Sequence, residues 1–333
     1  MAEALERWAN PSSPHAEGRA ARAALEEARS TIAEALGWRH DVILTSGASE
    51  ALAIAGGRAQ IEGRLLGATE HEAVFAAMGK GAGVLPVGPD GMVDLAALEE
   101  ALASGPALVA VQHVNNETGV VQPVGEIAER VAAAGSLLLV DCAQSAGKLV
   151  LPDADFISVS AHKLGGPPGV GALLVKSLAT LKAEGGQERG YRRGTQNLPG
   201  AVGFAAALRS GAFRVAMPRL SELRTRLETA LGLTAIGGVA ERSPAIGAYP
   251  VPGLTSASLL VQLDLAGFAV SAGSACSSGS LKPSHVLSAM GVAPDEAGSV
   301  IRVSFGPATS AEDVDAFAAE LRRINERAAS RAA

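Results

Sequence analysis

The chain has 333 residues, 48% hydrophobic and 19% charged, with 28 basic against 34 acidic side chains for a net charge of −6. That length is enough for a substantial core and for two domains, and the composition is that of an ordered globular protein rather than a disordered one. There is no dense Lys/Arg stripe, so nucleic acid is not an expected partner, and no apolar run reaches the roughly 18 residues of a membrane span. Met1 to Asn10 lacks the apolar core of a signal peptide. Cys142 and Cys276 are far apart in sequence and suggest neither a disulfide framework nor a metal site, so a reducing cytoplasm is the expected compartment.

In chain order, the Asn10–His15 loop is followed by a helical stretch from about Glu17 to Leu36, rich in Ala, Glu and Arg. Short apolar runs at Val42–Leu44, Ala107–Val111, Leu137–Val140 and Phe156–Val159 read as buried strands. Helical patterns near Glu50–Ile61, Leu95–Ala103 and Gly125–Ala134 fall between or beside them. This alternation predicts an α/β domain with a mostly parallel sheet and helices on both faces. Gly169–Val175 is a further strand candidate, of antiparallel sense. A long helical region follows from Gly200 to Leu231, interrupted near Pro218, and then an α+β tail with strands near Gly267–Ser271 and Ser299–Phe305. The closing helix begins after Ser310, which can cap it together with Asp313. The expected domains are residues 1–212 and a smaller one over residues 213–333.

Ligands of open parallel sheets sit beyond the carboxyl ends of the strands. Val42–Leu44 runs into Thr45-Ser46-Gly47-Ala48-Ser49-Glu50, where small residues and a helix start suit an anion, although many strand-to-helix turns look alike. Leu137–Val140 ends in Asp141, and Phe156–Val159 ends in Ser160-Ala161-His162-Lys163. A buried carboxylate is costly unless it is paired, and a protonated pyridine nitrogen would pair it while keeping the ring an electron sink. Of the six lysines, Lys163 alone directly follows such a polar strand end. Asp141 by itself would more often be a cap or turn residue; together with Ser-x-His-Lys it is far more specific. Cys276 lies in Ser-Ala-Gly-Ser-Ala-Cys-Ser-Ser-Gly, with small polar neighbours that leave a thiol accessible, whereas Cys142 beside Asp141 reads as packing.

The run from Asn10 to Phe305 resembles the NifS/IscS-type cysteine desulfurases, class V aminotransferase-like enzymes that use pyridoxal 5′-phosphate (PLP). The resemblance is carried by NPSSPHAEGR, TSGASE, TEHEAV, HVNNETGVVQP, VDCAQSAGK, SAHKLGGPPGVGAL, GGQERGYRRGT, SAGSACSSG and IRVSFG, in that family's order. It implies a PLP-transferase fold of the aspartate aminotransferase type, with Lys163 carrying the cofactor as an imine. Asp141 is then expected at the pyridine nitrogen, Gln144 at the ring hydroxyl and His71 stacked on the ring. Ser49, Ser160 and His162 are expected to bind the phosphate. Thr195 is expected to reach the phosphate of a neighbouring subunit, which implies a homodimer. Asn115 and Arg302 are expected to hold the substrate carboxylate, a task that suits a guanidinium fork.

By the same resemblance, L-cysteine is the substrate, Lys163 and His71 are the candidate proton carriers, and Cys276 takes the sulfur as a persulfide while L-alanine leaves. The long Cys loop resembles that of the group delivering sulfur to an iron–sulfur scaffold protein. Two departures stand out: the family's usual opening strand, Y-L-D-x-x-A-T-T-P, is not present, and Ala-Leu-Ala follows Glu50 where the family favours small polar residues. The sequence leaves open a selenocysteine lyase or another PLP β-elimination enzyme, and a truncated PLP-binding chain without turnover.

Overall fold

A computed structural model of the chain describes residues 1–273 and 283–332. Backbone contacts divide it into two compact units. The first comprises residues 1–85, 95–113 and 123–214; the second comprises residues 86–94, 114–122 and 215–333.

The first unit is built on seven strands: β1 (Asp41–Thr45), β2 (Gly63–Gly67), β3 (Gly83–Leu85), β4 (Ala107–Gln112), β5 (Leu137–Asp141), β6 (Phe156–Ser160) and β7 (Gly171–Val175). Their order is β1-β7-β6-β5-β4-β2-β3, with β7 antiparallel to both neighbours and the other pairings parallel. All six residues of β4 and all five of β6 are buried, the continuous apolar pattern of strands covered on both faces. Because β7 reverses, β1 runs in the same direction as β6, and their carboxyl ends fall on the same edge.

The helix Ala16–Ala35 buries Gly18, Ala21, Leu25, Ala28 and Ile32, a spacing of three and four that lines one face. The helix Ala48–Arg58 buries Ala51, Leu52, Ile54 and Ala55 in a cluster with Ile43, Leu139, Phe156 and Leu173 from four strands. In the Ala-Leu-Ala run after Glu50, Ala51 and Leu52 are therefore core packing, while Ala53 faces outward and is exposed.

The second unit contains a two-stranded antiparallel sheet, β8 (Ile246–Pro250) with β9 (Val300–Ser304). Ile236, Ala248, Val286, Leu287, Met290 and Val300 form a core there. The closing helix Ala311–Ala332 begins with a reciprocal cap: the Asp313 N–H donates to Ser310 Oγ at 3.1 Å, and the Ser310 N–H to Asp313 Oδ2 at 2.8 Å.

Three local expectations are corrected. Residues 267–271 are not a strand: Gly267 takes a left-handed conformation after the helix Ser256–Leu265, and Phe268 packs edge-on against Phe317 with centroids 5.4 Å apart. Only Ser271 bridges to Arg302, and the partner of β9 is β8, whose Gly247 and Pro250 hide it in the sequence. The long helical region breaks at left-handed Gly211, between the helices Leu198–Ser210 and Ala212–Leu231, and Pro218 lies inside the second. Strands β2 and β3 escaped the sequence reading because they are short and glycine-bearing.

Candidate active site

Asp141 ends β5 and is buried, and its Oδ1 accepts from Ser158 Oγ at 2.7 Å and from the Ala143 N–H at 2.9 Å. The register places Ser158 of β6 and Gln112 of β4 on either side of it. Gln112 extends the polar layer: its Nε2 donates to the Thr69 carbonyl at 2.8 Å, and its backbone N–H donates to Glu70 Oε1 at 2.9 Å. The turn Thr69–His71 is thereby tied to the end of β4, one strand from Asp141. Burial pushes the Glu70 carboxyl well above the ordinary glutamate value; the Gln112 N–H opposes that rise, and the negative charge of Asp141 adds to it. His71 caps the helix Glu72–Met78, accepting the Ala73 N–H on Nδ1 at 3.1 Å.

Beyond β6, a single turn Ala161–Leu164 carries His162 and Lys163, both exposed, and left-handed Gly165 closes it. Ser160 Oγ lies 3.0 Å from His162 Nδ1. Partial burial and the neighbouring Lys163 ammonium lower the His162 pKa. Facing this turn is the start of the helix Ala48–Arg58: a Cβ placed on Gly47 would lie 3.8 Å from Ser160 Oγ. Gly171 makes that approach possible, since a Cβ there would stand 2.3 Å from the Val159 carbonyl oxygen and 2.7 Å from Gly47 Cα. Three chain segments close on one another through bare backbone. Ser49 sits on the helix's first turn, exposed, and Gln144 on the turn after β5, half-buried.

Thr195 is exposed on the loop before the helix Leu198–Ser210. Asn115 and Arg302 belong to the second unit. Asn115 Oδ1 accepts from the Glu117 N–H at 2.8 Å, the Thr118 N–H at 2.9 Å and Thr118 Oγ1 at 3.1 Å. Arg302, on β9, donates from Nη1 to the Asn116 carbonyl at 3.0 Å. Cys276 lies outside the described residues. Cys142 is fully buried, and burial raises its thiol pKa, as befits a packing residue.

Two residues in this region were passed over in the sequence. Ser158 is legible in hindsight as a hydroxyl in the middle of the buried strand Phe-Ile-Ser-Val-Ser, on the same strand face as Ser160. Lys148 left no signal: it is buried, its ammonium stands 4.9 Å from the centre of the Phe213 ring, and burial, then the charge of Lys163, brings its pKa down to about 8.

The donor set of the first unit suits pyridoxal phosphate. It offers a primary amine on a short turn, a buried carboxylate steadied by two donors, and a helix start facing the Ser160–His162 pair. Among the described residues no cluster of side chains could hold a metal ion, and no helix is long and apolar enough to cross a membrane.

A family model described as Aminotransferase class-V matches residues 1–317. The chain is 41% identical to a protein named cysteine desulfurase IscS from Anaeromyxobacter sp. strain Fw109-5, over 91% of this chain and 82% of that one. It is 37% identical to a cysteine desulfurase of Bradyrhizobium diazoefficiens, over 98% of this chain and 90% of that one. Among solved structures, a NifS-like protein from Rickettsia africae superposes with a TM-score of 0.89 at 28% identity, covering 98% of this chain and 94% of that one.

Proposed function

The chain belongs to the class-V aminotransferase family, and from that premise we propose that it is a PLP-dependent cysteine desulfurase, converting L-cysteine to L-alanine and retaining the sulfur on Cys276. The observation that carries this reading is the placement of Lys163 directly after the Ser160–His162 pair, on the turn that follows β6, the strand next to the one that ends in Asp141.

Lys163 would attach the cofactor, with Asp141 at the ring nitrogen, Gln144 at the ring hydroxyl, His71 on the ring face, and Ser49, Ser160 and His162 at the phosphate. When bound, the cofactor supplies an electron sink that acidifies the substrate Cα–H and weakens the Cβ–S bond. Ser158 and the Ala143 N–H keep Asp141 in one orientation, so its charge stays fixed in place. Arg302 and Asn115 would clamp the substrate carboxylate; Asn115 Oδ1 is engaged in its own turn, so it would meet the carboxylate through Nδ2–H. Lys163 would move the Cα proton, with His71 as the second proton carrier. The Cys276 thiolate attacks the substrate sulfur, the Cβ–S bond breaks, the β-carbon takes a proton to give alanine, and the sulfane sulfur stays on the enzyme.

A homodimer completed by Thr195, a cytoplasmic setting and transfer to an iron–sulfur scaffold protein complete the proposal. The test is an L-cysteine assay that measures alanine and sulfide together. Cys276→Ala should lower turnover by about a hundredfold or more while the cofactor's visible absorbance persists. Alanine released by that variant at the wild-type rate would overturn the sulfur-accepting role.

A further inference from the structure

The loop of residues 184–197 crosses back to the anion-binding turn, and it is held there by buried ionic contacts that the reaction itself does not use. Glu188 has a fully buried side chain, yet it sits in a left-handed backbone conformation at φ 51°, followed by Arg189 at φ 57°. Two consecutive non-glycine residues in that region are strained, and they persist only when their surroundings over-determine them. The surroundings here do so. Glu188 accepts from Arg29 Nη1 at 2.5 Å and Nη2 at 3.1 Å, from Gln196 Nε2 at 3.0 Å, and from the Leu44 N–H of β1 at 2.8 Å. Arg189 pairs with Asp41 at the other end of the same strand.

Four residues further on, Arg192 makes the second fastening. Its Nε donates to Glu50 Oε1 at 2.9 Å, and its Nη1 donates to the carbonyls of Gly194 at 3.2 Å and Thr195 at 3.5 Å. The other oxygen of Glu50 accepts the Ser46 N–H at 2.5 Å, so one carboxylate joins the loop to the turn before the helix Ala48–Arg58. Burial alone would raise the Glu50 carboxyl; the hydrogen bonds from Ser46 and Arg192 more than offset it and hold it below its ordinary value.

An ionised Glu50 in the first turn of a helix would repel a phosphate and compete with it for the positive end of the helix dipole. Arg192 neutralises that charge and draws the carboxylate back onto Ser46. We infer that Arg192, through Glu50, is a positioning residue for the phosphate turn Ser46–Ser49, and that Glu188 fastens the loop from which it acts. This rests on the PLP reading above and adds to it what makes the turn competent for an anion. Arg192 touches no reacting atom; it acts through Glu50.

A merely structural role would weaken every ligand of the site, whereas a phosphate-positioning role weakens only ligands that carry a phosphate. The experiment therefore measures binding of PLP and of pyridoxal, which has the aldehyde and ring but no phosphate, to apoprotein of the wild type, Arg192→Met and Glu50→Gln/Arg192→Met. PLP should bind Arg192→Met roughly tenfold more weakly, as expected for a lost charge-assisted hydrogen bond. Pyridoxal should change by less than about twofold, and the double variant should recover most of the PLP affinity lost in the single one, since Glu50→Gln removes the charge that Arg192 neutralises. Inorganic phosphate should raise the melting temperature of the wild-type apoprotein and do so less for the variant. Arg192→Lys, which keeps the charge facing Glu50, should recover part of the PLP affinity.

Equal weakening of PLP and pyridoxal, or no weakening of either, overturns the inference while leaving the PLP reading in place. A wild-type chain that binds neither overturns both.

Discussion

In the first unit, Asp141 is held by the sheet itself: the register that pairs it with Ser158 on one side and Gln112 on the other also supplies the hydroxyl that fixes its oxygen. In the second unit, the Asn115 side chain closes its own turn within three residues, and Arg302, on β9, donates to the Asn116 carbonyl of that turn. Sheet register resists a point change because neighbouring strands share it, whereas a turn adjusts locally. The groups assigned to the cofactor thus include one, Asp141, on a stiff frame, and those assigned to the substrate include one, Asn115, on a more compliant turn. A cofactor stays in place through every turnover, while a substrate must enter and leave.

Lys163→Ala tests the stiff side hardest. Cysteine turnover should fall by at least about a thousandfold and the cofactor's visible absorbance should vanish. The melting temperature of the apoprotein should shift by no more than about 2 °C, because the side chain is exposed. An unchanged spectrum would break the assignment of the imine to this residue. On the compliant side, Arg302→Lys should raise KM for L-cysteine by roughly ten- to a hundredfold with a much smaller change in kcat, since an ammonium cannot reproduce the guanidinium fork. A loss confined to kcat would remove Arg302 from carboxylate binding.

Ser158→Ala sharpens the contrast by loosening the frame without touching the cofactor. Turnover should drop about tenfold and stability by about 1–2 kcal/mol, measured by denaturant unfolding, because Asp141 loses a buried donor. Thr118→Ala, which removes one of three donors from Asn115, should cost under about 1 kcal/mol. If the Thr118 variant were the more damaging, the turn would be the stiffer support.

A further effect, on stability alone, concerns Lys148. Its pKa of about 8 in the folded chain lies below the ordinary 10.5. Between those two values the unfolded chain binds more protons, so this group makes stability rise with pH from about 8 to 10.5, and below that window its burial penalty is present in full. Lys148→Met should flatten that slope and stabilise the protein at pH 7 by about 1–2 kcal/mol, the lost contact with Phe213 offsetting part of the gain. Urea unfolding at pH 7 and pH 10 measures both.

The sequence disclosed what repeats or punctuates. Strands β4 and β6, buried throughout, and β5, buried after Leu137, are apolar runs, and Asp141, Ser160, His162 and Lys163 stand where such runs stop. It disclosed little of what depends on distant pairing. That residues 86–94 and 114–122 belong with the chain after residue 215 has no local mark in composition. Glu188 reads as one more surface glutamate until Leu44 and Arg29 are seen to converge on it across about 150 residues of sequence. Phe268 and Val270 alternate as a strand would, but an aromatic contact with Phe317 claims the segment instead.

The approach of Gly47, Gly171 and Val159 has a consequence for how this pocket can change. Where main chain touches main chain there is no rotamer to absorb an added methyl group, so Gly171→Ala must push apart the two halves of the cradle rather than repack them. Sequence drift is closed at that position and open at Ser49, Ser160 and His162, the side chains proposed to meet the phosphate, so a change of anion would be written in side chains there rather than in the backbone.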